Sequence, residues 1–130
     1  MTIDELLAEL RVRYPDGPPW RERLSITNMD ILKWTASAGM SRQDLYDQLA
    51  LELAHGFNAS ELSFEFCDAV VNEIHWVIIF CDEQRPHFFS EIYLAFDSGE
   101  YLHDGSPDKD PVEAYTRPQI ERILDSVTVR

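Results

Sequence analysis

The stretch from residue 61 to residue 74 constrains the fold more than any other part of this sequence. Its large apolar residues recur in steps of four and so share one face of a helix, namely Leu62, Phe66, Val70 and Ile74. The other face is polar and carries Glu65, Asp68, Asn72 and Glu73. Asn58 and Glu61 have the spacing of a capping box, which predicts that this helix starts near residue 58. A helix with one apolar face needs a core to pack against, so the chain is predicted to fold.

Two helices are predicted near the N-terminus. Thr2 and Glu5 have capping-box spacing, and the proline-rich segment 14–19 ends the helix that they start. A second helix is predicted over Asn28–Ala38, with Asn28 as its cap and Gly39 closing it in the left-handed conformation. The residues expected to point inward from this second helix are Ile31, Leu32 and Thr35.

A third helix is predicted to follow at once and to form a helical hairpin with the second. Ser41 and Asp44 resemble a capping box, and Gly56 is the predicted stop signal. Its apolar stripe consists of Leu45, Leu49 and Leu53.

The character of the sequence changes after Trp76. Residues 77–81 are β-branched or aromatic, apart from a final cysteine, and residues 88–96 can be read as alternating between two faces. The turn at 97–99 allows residues 100–103 to return as a hairpin strand. This pattern predicts a three-stranded antiparallel meander over about residues 77–103. The alternative is one long helix through Phe80, because no glycine or proline marks the junction near His75.

The predicted fold is therefore a single α+β domain over residues 1–130, with N-terminal helices, the meander and a C-terminal helix. The last helix is expected to start at Thr116, with Pro118 in its first turn, where a missing N–H costs little. The meander is expected to pack on the fourth helix through Phe88, Ile92 and Leu94.

The net charge of −13 opposes nucleic acid binding, which requires clustered lysine and arginine. The helical hairpin resembles a DNA-binding motif, but Asp44 and Asp47 lie where the phosphates would approach. The longest apolar run is far shorter than the roughly 20 residues that span a membrane. Two acids near the start of the chain argue against a secretory signal, so a cytoplasmic location is predicted.

No cofactor or metal is predicted. The four histidines lack zinc-ligand spacing, and the acids of the 104–111 loop lack the spacing of a calcium loop. Cys67 and Cys81 are interpreted as small core residues, although a nucleophilic pairing of Cys81 with His103 or of Cys67 with His75 stays open.

Acidic residues concentrate after residue 96, and with the aromatic residues Tyr93, Tyr101, Tyr115 and Trp20 expected nearby they suit a basic partner. The predicted binding residues are Asp97, Glu100, Tyr101, Asp104, Asp108, Asp110 and Glu113. The leading hypothesis is a non-enzymatic interaction module that binds a basic protein, as an antagonist or immunity-type protein would. The same charge also suits a surface that merely keeps the protein soluble.

Two further hypotheses remain open. The first is a small enzyme or ligand binder whose pocket lies between the sheet and the helices and uses His103, Asp104, Glu91 or Tyr93. The second is a homo-oligomer joined through exposed aromatic residues such as Trp20, Trp34 or Phe89.

Overall fold

The computed structural model describes residues 1–14, 25–100 and 110–128, and the secondary structure within these ranges is entirely helical. Six α-helices are found there: α1 (Ile3–Arg13), α2 (Asn28–Ala38), α3 (Arg42–Asn58), α4 (Phe64–Phe80), α5 (His87–Asp97) and α6 (Arg117–Thr128). A single π-helical turn, Val112–Thr116, leads into α6.

The predicted α+β class is wrong, and the first strand of the meander is the end of α4. Val77 and Ile78 continue the buried stripe of Ile74 at helical spacing, and all three side chains are buried. Burial on a helical face therefore outweighs the β preference of these branched residues. The alternative of one long helix through Phe80 is confirmed.

The second predicted strand is helix α5. Phe89, Ile92 and Phe96 are buried at spacings of three and four, whereas Leu94, assigned to the packed face of the meander, is exposed. So many apolar residues lie between 88 and 96 that both periods fit the sequence. The turn at 97–99 ends α5 and forms no hairpin, and residues 101–103 lie outside the described ranges.

Several predicted helix ends are confirmed. Thr2 caps α1, where its Oγ1 accepts a hydrogen bond from the Glu5 N–H at 3.1 Å. The bounds Asn28–Ala38 are correct, Gly39 closes α2 with a φ of 66°, and Ser41 caps α3.

Other predicted ends are wrong. Thr27 caps α2 in place of Asn28, and Ser63 caps α4 in place of Asn58. The helix α3 runs through Gly56, where Leu62 packs so closely that a Cβ would collide with it. Glycine at this position therefore permits a close approach and does not stop the helix.

Side chains of α3 tie it to α4 and α5. Asp47 accepts a hydrogen bond from the backbone N–H of Phe89 at 2.8 Å and so caps α5, whose preceding Pro86 supplies no side-chain cap. The Tyr46 hydroxyl donates to Glu83 at 2.7 Å, and Arg42 forms an ion pair with the same carboxylate. These contacts hold the α4–α5 turn against α3. On either side of this turn, α4 and α5 form an antiparallel helical hairpin.

The interior uses aromatic residues that the oligomer hypothesis places on the surface. Trp34 and Phe89 are both buried, so neither is available for association. Trp20, the third residue of that hypothesis, lies outside the described ranges. Leu32, expected to point inward from α2, is exposed, and Trp34 occupies the core in its place.

The π-helical turn is attached to α5 by Thr116, a fully buried residue whose hydroxyl donates to the carbonyl of Ala95 at 2.7 Å. We expect Thr116→Val to lower the free energy of unfolding by about 1 kcal/mol, because it removes this hydrogen bond at nearly constant volume. Urea titration measures the change. Thr116→Ser keeps the hydroxyl and removes only the methyl group, so it is the control; near-native stability of Thr116→Val would mean that this hydrogen bond does not contribute.

Candidate functional site

Three carboxyl groups meet where the N-terminal half of α4 faces the end of α5. Asp68 lies in the second turn of α4, Asp97 is the last residue of α5, and Glu100 follows three residues later. The amide of Asn72 joins two of them, because its Nδ2 donates to Asp68 Oδ1 at 3.1 Å and to Glu100 Oε2 at 3.3 Å. We call Asp68, Asp97 and Glu100 the acidic cluster.

Two carboxyl groups of the acidic cluster, those of Asp68 and Asp97, have raised pKa values. Burial raises the pKa of Asp68 to about 8, and hydrogen bonding with Glu100 and repulsion from Glu100 and Asp97 act in the same direction. Burial and the nearby Glu100 also raise the pKa of Asp97, and they outweigh the opposite effect of His75. Clustered groups with perturbed pKa values are a mark of functional sites.

Other carboxylates of the chain have a cation beside them. Arg13 binds Asp30 at 2.9 Å and holds the pKa of that carboxyl below its ordinary value through this hydrogen bond. Arg117 forms an ion pair with Glu113 at 2.8 Å. Within the described part of the chain no lysine, arginine or histidine forms an ion pair with the acidic cluster. The acidic cluster is therefore without an ion-pair partner among the described residues.

A stacked pair of rings borders the acidic cluster. His75 of α4 and Tyr93 of α5 lie nearly parallel, with ring centroids 4.4 Å apart, and Arg85 lies 5.9 Å from the centroid of Tyr93. Burial, with a further effect of Arg85, lowers the pKa of His75, so the stacked imidazole is favoured in its neutral form. Its Nδ1 is buried and has no hydrogen-bond partner among the described residues.

The structure brings together two of the seven predicted binding residues, Asp97 and Glu100. Asp110 accepts a hydrogen bond from the Val112 N–H at 3.0 Å, and Glu113 pairs with Arg117, so both have local partners. The remaining three, Tyr101, Asp104 and Asp108, lie outside the described ranges.

Sequence reasoning missed Asp68 and Asn72 as members of the site. It placed both on the polar face of the fourth helix, where their spacing of four already put them side by side. The sequence pattern did not show which element packs against this polar face. Because a meander was predicted in place of α5, the position of Asp97 beside Asp68 could not be inferred. The helical period of Phe89, Ile92 and Phe96 was the available signal.

The enzyme hypothesis places its pocket between a sheet and the helices, and the described residues contain no sheet to form one wall of that pocket. Glu91 is exposed on α5 beside His87, whereas Tyr93 stacks on His75. His103 and Asp104 lie outside the described ranges.

Cys67 is buried, as predicted, and its burial raises the pKa of the thiol. Cys81 is exposed, so its assignment to the core is wrong.

Within residues 1–14, 25–100 and 110–128, no three histidine, cysteine, aspartate or glutamate side chains are grouped to hold a metal ion. None of the helices in these ranges has the length and apolar character needed to cross a membrane.

Comparisons of the chain with protein-family models, curated proteins and solved structures gave no match.

Proposed function

We propose that this chain is a non-enzymatic binding protein that recognises a basic partner through the acidic cluster. The proposal rests on one observation, the grouping of three adjacent carboxyl groups that form no ion pair with a described lysine, arginine or histidine. An arginine or lysine supplied by a partner replaces the repulsion among them with charge-assisted hydrogen bonds. The net charge of −13 adds long-range attraction and accelerates the encounter with a basic protein.

The raised pKa of Asp68 gives this recognition a pH dependence. In the free protein near pH 7 the Asp68 carboxyl is largely protonated, because its pKa is about 8. A bound cation favours the ionised form, so binding lowers this pKa and releases a proton. Calorimetry in two buffers with different ionisation enthalpies measures that proton, and its absence would contradict direct contact with Asp68.

A charge-neutralising variant tests the location. We expect D97N/E100Q to weaken binding of an oligolysine peptide of about ten residues by roughly five- to tenfold, equivalent to about 1–1.4 kcal/mol. The control, E121Q/D125N, removes the same number of charges from exposed positions of α6 and is expected to change the affinity less than about twofold. Fluorescence anisotropy at low and raised salt measures both.

An equal effect of the two double variants would contradict the proposal. It would mean that the peptide responds to net charge alone, and the acidity would then serve solubility.

A further inference from the structure

Exposed apolar side chains cluster where the C-terminal half of α4 meets the start of α2. Trp76 is 52% exposed and Phe80 is 82% exposed, and their ring centroids lie 6.0 Å apart. Such side chains are individually common on protein surfaces, but a contiguous group of them is typical of an interaction site.

A groove of about 360 Å³ lies between α4 and the residues at the start of α2, namely Ile26, Thr27 and Asn28. Ile26 and Val77 are its buried apolar lining residues, and Trp76 and Phe80 are its exposed aromatic ones. Glu73 also lines it and accepts a hydrogen bond from the Ile26 N–H at 3.1 Å through one of its two carboxylate oxygens. We call this feature the α2–α4 groove.

The acidic cluster and the α2–α4 groove are neighbours along α4. Asp68, Asn72 and Trp76 follow one another at spacings of four, so their side chains form a row that turns by about 40° around the helix at each step, from the side that faces α5 toward the groove. From Asp68 to Trp76 the helix rises about 12 Å, slightly more than two helical turns. One ligand lying along this row reaches both the carboxyl groups and the apolar groove.

We infer that the α2–α4 groove holds the apolar face of a positively charged amphipathic helix of the partner protein, with the cationic side chains of that helix on the acidic cluster. This inference rests on the proposed function and names the class of segment that is recognised. Amphipathic helices bind in this way by placing apolar side chains from successive turns into a groove. Glu73 and the face of Trp76 supply a second position for a lysine or arginine, as an ion pair and a cation–π contact.

Charge selects this occupant over two others. A second copy of the chain would bring a second acidic cluster to the same face, and each copy carries a net charge of −13. A membrane surface rich in anionic lipid would repel the same carboxyl groups. A basic helix removes the repulsion that these alternatives increase.

The test uses a fluorescent synthetic peptide of about 18 residues, roughly 27 Å of helix, built from alanine, leucine and lysine with the leucines on one face. We expect W76A and F80A each to weaken its binding to the full chain by about tenfold. The controls V12A and L94A remove exposed apolar side chains from α1 and α5 and are expected to change the affinity less than about twofold. A peptide of the same composition, scrambled to abolish the apolar face, is expected to bind about tenfold more weakly.

The outcomes separate this inference from the proposed function. If oligolysine binding falls in D97N/E100Q while the amphipathic peptide ignores W76A and F80A, the proposed function stands and the groove assignment is overturned. If neither peptide responds to D97N/E100Q, the proposed function fails and the inference fails with it.

Two further results would name another occupant and overturn the inference. One is concentration-dependent dimerisation of the wild type in light scattering that F80A abolishes. The other is binding to phosphatidylglycerol vesicles that W76A abolishes.

Discussion

Replacement of Phe96 by alanine is expected to lower the free energy of unfolding by about 3–5 kcal/mol. Phe96 is fully buried in α5, packs edge-to-face on Phe57 of α3 at 5.4 Å and contacts Phe64 of α4 at 6.1 Å between ring centroids. Its removal leaves a cavity where three helices meet, directly beside Asp97 of the acidic cluster. Urea unfolding followed by circular dichroism measures the loss.

Phe80→Ala is the matched control for this substitution. It deletes the same side chain from a helix, but Phe80 is almost entirely exposed, so the expected change is below about 0.5 kcal/mol. A similar loss in both variants would mean that Phe96 does not join the three helices as described. Near-native stability of F80A also shows that a change in its peptide affinity is a change at the surface.

The contrast between Phe80 and Phe96 shows what the sequence could and could not predict. The stripe from Leu62 to Ile74 predicted a helix because its members keep a spacing of four over three successive steps and the opposite face is polar. Around Phe89 and Phe96 nearly every position is apolar or aromatic, and no local pattern decides which residues face inward. That decision depends on tertiary packing, here on the contacts of Phe96 with Phe57 and Phe64.

Helix boundaries also divide into those that the local sequence predicts and those that depend on tertiary packing. Thr2, Gly39 and Ser41 were predicted correctly as caps, because capping depends on the cap residue and its nearest neighbours. Gly56 was wrongly predicted to stop the helix. Glycine is needed there because of the close approach of Leu62, a tertiary contact that the local sequence does not reveal.

The candidate site was only partly predictable for a related reason. Asp97 and Glu100 stand out in the sequence as part of a local excess of acid. Asp68 belongs to the site only because α4 and α5 lie antiparallel, and a meander in place of α5 removes that relation. A buried carboxyl group on a helix that reads as solvent-facing can be recognised only once the packing partner of the helix is known.

The raised pKa of Asp68 makes the stability of the fold depend on pH, and Asp68→Asn reveals that contribution. In the unfolded chain an aspartate ionises near pH 4, whereas Asp68 in the folded chain ionises near pH 8. Between these values the folded state binds more protons than the unfolded state, so this group lowers the free energy of unfolding as the pH rises from about 4 to about 8. Allowing for solvent screening of a partly exposed group, the loss is about 2 kcal/mol.

D68N carries no titrating group at this position, so this contribution is not expected to lower its free energy of unfolding as the pH rises. Its stability relative to the wild type should rise by about 2 kcal/mol between pH 4 and pH 9, as measured by urea titration at each pH. Glu65→Gln removes one negative charge from an exposed position of the same helix, and its profile is expected to run parallel to that of the wild type. Parallel profiles for D68N and the wild type would show that Asp68 is ionised in the folded protein at neutral pH. The acidic cluster would then already carry its full negative charge before a partner arrives, and binding would release no proton.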